Sequence, residues 1–300
     1  MKKFLLITVV LLSSLFTLTA CNAGSKLTWE NGEKINLWES AEDIPYFDEN
    51  DDQPISSITP YIAEGNEDGK AVILIPGGGY GVHGDLETEK EIADELNANG
   101  ISAFILDYRI APYDGKAIIS DGFRAVRFVR YYAKAFGIDP EKITVMGMSA
   151  GGHLALMTME HSDEELEVSG DKIDKVSARP DAGVLCYPVS SFKDDLTHEK
   201  SRMNFLGEAN QYDSDMQDKY SSECGVTADT PPAFIWHTQN DKAVPYESSE
   251  LLKEAFDAAG VECELMLFQY GSHGLGLAKD IEGVQEWFGN CLEWLDKIYK

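Results

Sequence analysis

The chain has 300 residues, 43% of them hydrophobic and 10% aromatic, enough for one well-filled core without calling for a second domain. Lysine and arginine total 25 against 52 aspartates and glutamates, a net charge of −27. Such a surface leaves no basic footprint for nucleic acid, and at long range it disfavours strongly acidic polysaccharides as well.

In residues 1–20, Lys2 and Lys3 precede an apolar stretch from Phe4 to Leu18 that holds no acid, the layout of an export signal. Leu18, Thr19 and Ala20 then lead into Cys21, the lipobox pattern of bacterial lipoproteins, and the stretch is short for a spanning helix. Cleavage before Cys21 would leave a lipidated N-terminus that tethers the chain to the cell envelope, at the outer face of a bacterial membrane. Four further cysteines, Cys186, Cys224, Cys263 and Cys291, show neither zinc-ribbon nor CxxC spacing. Cys186 and Cys263 fall in runs that read as buried strands, so unpaired thiols are the expectation, and an export compartment leaves one disulfide open.

A polar tether follows Cys21, and residues 21–68 as a whole read as tether plus irregular arm with one or two short edge strands. From Ala71, short apolar runs alternate with amphipathic stretches, the pattern of parallel βαβ units. Strands are expected at Ala71 to Ile75, Ile101 to Asp107, Ile143 to Met148, Ala182 to Tyr187, Phe234 to Thr238 and Glu262 to Phe268, most of them apolar enough for burial on both faces. Between them, helices are expected at Thr88 to Asn99, at Asp121 to Phe136 and, last, at about Ile281 to Tyr299. Residues 69–300 thus form the catalytic domain, with a polar insert at about 190–230 that suits a substrate wall.

Chemistry concentrates at strand ends. Gly147-Met148-Ser149-Ala150-Gly151 follows an apolar strand and opens into a helical stretch, the context a nucleophile elbow requires, and its flanking glycines are small enough for the strained turn. Serine needs a positioned base, and in this layout an acid and then a histidine follow it in the chain. Asp241 comes just after the strand ending at Thr238, and His273 just after the one ending at Phe268. Pro76-Gly77-Gly78-Gly79-Tyr80 follows the first regular strand, where the N–H groups of Gly78 and Gly79, with that of Ala150, would stabilise an oxyanion. Tyr80 and His83 are candidate substrate contacts. His153, inside a helix, and His237, inside a strand, read as structural, while His161 and His198 carry little weight. Asp229 and Asp280 are weaker acids because they lack the turn that follows a strand.

Gly79, Gly81 and Gly84 also fit G-x-G-x-x-G, with Asp107 at a distance suited to a ribose. The glycines begin several residues beyond the strand, however, and a dinucleotide site leaves the order Ser149, Asp241, His273 unexplained. No metal-ligand motif and no Walker loop appears, so neither a metal nor another cofactor is implied.

Taken together, Pro76-Gly77-Gly78-Gly79-Tyr80, Tyr108-Arg109-Ile110-Ala111-Pro112, Gly147 to Ala155 and Asp241-Lys242-Ala243-Val244-Pro245 resemble the hormone-sensitive-lipase-like carboxylesterases. Within that group the chain is most similar to bacterial acetylxylan-esterase-like enzymes, from about Leu37 to the C-terminus. The resemblance implies an α/β-hydrolase fold, a mostly parallel twisted sheet with helices on both faces, and removal of acetyl groups from sugar hydroxyls without a cofactor. Pro76 stands where the lipase branch has a histidine, which shifts weight away from lipases. Two alternatives remain within enzymes, a general short-chain carboxylesterase and a peptidase of the prolyl-oligopeptidase type; the short N-terminal arm cannot supply the propeller of the latter. A silent glycan-binding lipoprotein is the non-enzymatic alternative, and a complete triad argues against it.

Overall fold

In the computed structural model, eight strands join into one sheet: β1 (Ile35–Asn36), β2 (Ser57–Tyr61), β3 (Ala71–Ile75), β4 (Ser102–Asp107), β5 (Ile143–Met148), β6 (Ala182–Cys186), β7 (Ala233–Thr238) and β8 (Cys263–Phe268). Residues 27–84 and 86–300 are described; the export signal and Cys21 lie outside them. The spatial order is β1-β2-β4-β3-β5-β6-β7-β8, parallel from β4 to β8 and antiparallel at β1 and β2, the two strands of the arm, of which β1 forms the edge. The helices are α1 (Leu86–Ala98), α2 (Gly115–Tyr131), α3 (Ala133–Phe136), α4 (Ala150–Glu160), α5 (Glu199–Leu206), α6 (Ser214–Lys219), α7 (Ser222–Gly225), α8 (Glu247–Ala259) and α9 (Glu286–Ile298).

Alternation along each strand divides the core in two. Ile73 and Ile75 pack with Val145, Leu185 and Ile235 on the face covered by α2, α4 and α8, whereas Val72 and Leu74 pack with Met146, Val184 and Trp236 on the face covered by α1 and α9. Each such aliphatic side chain contributes about 1.5–3 kcal/mol by leaving water, so both layers favour this pairing of sheet and helix. β8 departs from the expectation of burial on both faces: as the last strand it is only half-buried, Cys263 included. The described cysteine thiols are all free.

Helix boundaries also differ. α2 begins six residues earlier than its amphipathic stripe suggests, because Asp114 caps it by accepting from the N–H groups of Lys116 and Ala117 and its first turns are buried except for Lys116; Tyr132 then divides the expected helix into α2 and α3. α9 begins later, since 281–285 form turns. Among the described residues, no helix is long and apolar enough to cross a membrane.

The insert holds α5, α6 and α7, and most of its aromatic residues face inward, with Tyr212 exposed. Phe192, Phe205 and Tyr220 are buried, and Phe192 stacks on His153 of α4 at 4.3 Å between ring centres. Most of the acidic side chains that dominate its sequence are left outside.

Candidate active site

Ser149 sits between β5 and α4 with φ 54°, a left-handed conformation that a residue with a side chain adopts only when its surroundings impose it. Those surroundings are close-packed backbone. A Cβ on Gly147 would stand 2.1 Å from the carbonyl oxygen of Gly151, and one on Gly151 would stand 2.1 Å from that of Ile75. Hydrogen bonds from Ser149 N to the Cys186 carbonyl and from Val189 N to the Ser149 carbonyl, both 3.0 Å, tie the turn to the segment leaving β6.

Ser149 Oγ lies 2.8 Å from His273 Nε2, and His273 Nδ1 lies 2.6 Å from Asp241 Oδ2. The three sequence-predicted residues are therefore brought together. Their loops are tied as well: Gly271 N donates to Asn240 Oδ1, and the Thr238 hydroxyl donates to the Gly271 carbonyl. Burial works against the charged form of Asp241, but hydrogen bonds from His237 and His273 outweigh it and hold the carboxyl well below its ordinary range. An ionised carboxylate only accepts, so Nδ1 of His273 carries the proton and Nε2 faces the serine hydroxyl with its lone pair.

The glycine loop approaches from β3. A Cβ on Gly77 would meet that of Ser149 at 3.3 Å, and Gly78 and Gly79 adopt φ of 119° and 62°. Among the described residues, the N–H groups of Gly78, Gly79 and Ala150 donate to no other group of the chain. Ala150 is the first residue of α4, so its N–H has no acceptor within the helix. The Tyr108-to-Pro112 segment braces this loop: the Tyr108 hydroxyl donates to the Pro76 carbonyl and Ala111 N to the Tyr80 carbonyl, each at 2.8 Å. Arg109 anchors the brace through a buried pair with Asp121.

Two expected substrate contacts are not placed as such. Tyr80 is fully buried; the positive φ of Gly78, Gly79 and Tyr80 turns its side chain into the core, where its hydroxyl lies 2.7 Å from His153 Nδ1. His83 is drawn aside to the end of β4, where it faces Asp107 at 3.3 Å and packs edge-on against Tyr108. Asp107 also pairs with Lys34, so the acid of the dinucleotide pattern is taken up within the fold.

His153 is structural, as expected. Its Nε2 must donate to the Tyr220 carbonyl at 2.8 Å, which leaves Nδ1 to accept from Tyr80. Asp229 is exposed and remote from this relay, its carbonyl accepting from Arg179.

Two histidines prove closer to the chemistry than the sequence reading allowed. His237 reaches Asp241 from β7. His198, capping α5, stands beside Gly79, whose Cβ would lie 3.5 Å from its ring, and it loses basicity through burial and then through repulsion by His273. A cavity of about 590 Å³ opens next to it, lined by Thr197, His198, Gln239, Asp241, Lys242 and Tyr246 among others. A volume of that order accommodates a small ligand. Neither histidine could be found by spacing, because each depends on where a loop returns.

The chain resembles known proteins over most of its length. The BD-FAE family matches residues 60–256. An acetylxylan esterase of Xylanibacter ruminicola is 31% identical over 235 residues, covering 78% of this chain and 46% of that protein. Endo-1,4-beta-xylanase B of Butyrivibrio fibrisolvens is 36% identical over 231 residues, covering 75% and 35%. The chain thus spans half or less of the length of these two relatives. Among solved structures, the acetyl ester-xyloside bifunctional hydrolase of Caldicellulosiruptor lactoaceticus superposes with a TM-score of 0.83 at 42% identity, covering 89% of this chain and 97% of that one.

Proposed function

The chain belongs to the BD-FAE family, and on that premise we propose that it is a serine carboxylesterase removing short acyl groups, acetyl above all, from carbohydrate esters such as acetylated xylan. The observation that carries this reading is the hydrogen-bonded line from Ser149 through His273 to Asp241, set beside three undonated N–H groups.

The reaction follows from that geometry. His273 Nε2 takes the Ser149 proton as Oγ attacks the ester carbonyl, and the carbonyl oxygen becomes an oxyanion facing the N–H groups of Gly78, Gly79 and Ala150. Collapse of the tetrahedral intermediate breaks the ester C–O bond, and His273 returns the proton to the departing sugar oxygen. Water, deprotonated by the same imidazole, then releases the acid from Ser149. Asp241 stabilises the imidazolium formed in each half and keeps its ring in register.

The alcohol must lie on the histidine side, since that group protonates it. The 590 Å³ cavity lies beside Asp241, the acid partner of that histidine, and its hydroxyl, imidazole, amide, aromatic and charged groups suit a sugar better than an acyl chain. The relatives named for acetylxylan esterase and for an acetyl ester-xyloside hydrolase support the same substrate class. Acetate release from acetylated xylan, acetylated mannan, pectin and p-nitrophenyl acetate, compared at equal ester concentration, tests it. Turnover of the aryl ester alone would make the protein a general short-chain carboxylesterase.

We further propose that residues 1–20 export the chain and that Cys21 carries the lipid, its only means of contact with the membrane. Cys21→Ser should abolish lipid labelling and release the protein; unchanged membrane association would instead indicate an uncleaved helix.

A further inference from the structure

Asp241 is gripped from two sides. Its Oδ1 accepts from the N–H groups of Ala243 and Val244 at 2.8 and 3.1 Å, while Oδ2 is shared by His273 Nδ1 at 2.6 Å and His237 Nε2 at 3.2 Å. His237 is fully buried in β7, and its other nitrogen lies 2.8 Å from the hydroxyl of Ser249 on α8, which is also fully buried. A carboxylate cannot donate, so His237 offers Nε2–H to Asp241 and accepts the Ser249 proton at Nδ1. The neighbouring Ser248 bonds the Pro245 carbonyl, and Ser249 supplies the hydroxyl that pairs with Nδ1 in the tautomer Asp241 imposes.

We propose that His237, its tautomer set by Asp241 and its Nδ1 satisfied by Ser249, is a positioning residue for the reaction: it holds the Asp241 carboxylate in the orientation His273 needs and shares its negative charge. His237 touches no reacting atom. Its removal leaves Oδ2 with a single donor, so the carboxylate gains freedom to rotate about the two bonds that remain at Oδ1 and its charge at Oδ2 acts on His273 alone. The first effect lowers kcat. The second stabilises the His273 imidazolium and moves the acid limb of kcat/KM to higher pH. The other titratable groups around this relay, His198 and Glu199 at the start of α5, Lys242 beside Asp241, Cys186 and Tyr187 at and just after the end of β6, and Glu89 on α1, are all retained in the variants.

The inference rests on the proposed triad, so Ser149→Ala is measured alongside: activity retained there would sink the triad, not merely the part assigned to His237. With p-nitrophenyl acetate, His237→Leu should lose up to ~100-fold in kcat at unchanged KM, the scale of a small misplacement of a catalytic group. Its acid limb should rise by about half a pH unit or more. His237→Gln, which restores an N–H donor, should recover much of both effects, and Ser249→Ala should shift both in the same direction by less. A folded His237→Leu with wild-type kcat and an unmoved acid limb overturns the proposal. So does a loss of kcat that Gln does not relieve and that leaves the limb unmoved, since packing alone would explain it. If neither His237 variant folds, a Ser249→Ala protein identical to wild type in kcat and acid limb overturns it as well.

Discussion

His153 should make the protein sensitive to mild acid. The ring is fully buried between Tyr80 and Phe192, and burial pushes its basicity down to about 3, despite the hydrogen bond it gives the Tyr220 carbonyl. In the unfolded chain the same group titrates near 6.5, so below that pH the unfolded state binds a proton that the folded state refuses. Stability from this residue is therefore complete above about pH 6.5 and is lost progressively as pH falls toward 3. Between pH 7 and pH 5 the loss comes to about 2 kcal/mol, and with a urea slope of about 3 kcal/mol/M the unfolding midpoint drops by roughly two-thirds of a molar. His83, His161 and His198 are also depressed by burial, but they remain in a His153→Gln variant and cancel in the comparison. The variant should be less stable at pH 7, because it loses the ring that stacks on Phe192, and should change less than wild type between pH 7 and pH 5. Equal losses in the two proteins would refute a neutral, buried His153.

Asp241→Asn should lower kcat on p-nitrophenyl acetate by roughly 10³–10⁴-fold, because an amide N–H facing His273 Nδ1 selects the tautomer whose Nε2 cannot take the serine proton; a loss under about tenfold would mean that another acid orients the ring. Gly151→Ala should abolish activity and lower the melting temperature together, since its Cβ would stand 2.1 Å from the Ile75 carbonyl oxygen and has no flexible neighbour to displace; an active, stable variant would contradict the packing of the elbow. Along p-nitrophenyl acetate, butyrate and octanoate, kcat/KM should fall. An apolar acyl groove would contribute ~0.8 kcal/mol for each added CH₂ and reverse that order.

The strands at 71–75, 143–148 and 182–186 were legible because burial on both faces writes itself as unbroken apolar sequence. Ser149, Asp241 and His273 were legible for a related reason: each follows a strand within a turn whose residues are small or rigid. The first turns of α2 were not, because Gly115 to Ser120 are all buried except Lys116 and carry no stripe. Tyr80 was misread because the direction of its side chain is set by the positive φ of the glycines before it, a property that glycine permits and does not dictate. His237 was read as structural because a strand histidine reveals nothing of the turn that brings Asp241 back beneath it.

The attachment of the insert has a consequence for how such enzymes diversify. Phe192, Phe205 and Tyr220 dock on His153, one turn into the helix that begins beside the nucleophile, while acidic residues between them, such as Asp195, Glu208, Asp213 and Asp215, stay outside. The anchor and the outward-facing surface are thus separate sets of residues on one segment. Substitutions among the outward residues can recontour the cavity at His198 without disturbing the elbow, so the segment behaves as an exchangeable cap. New substrate preferences are most readily selected or engineered there, provided the three aromatic anchors are kept.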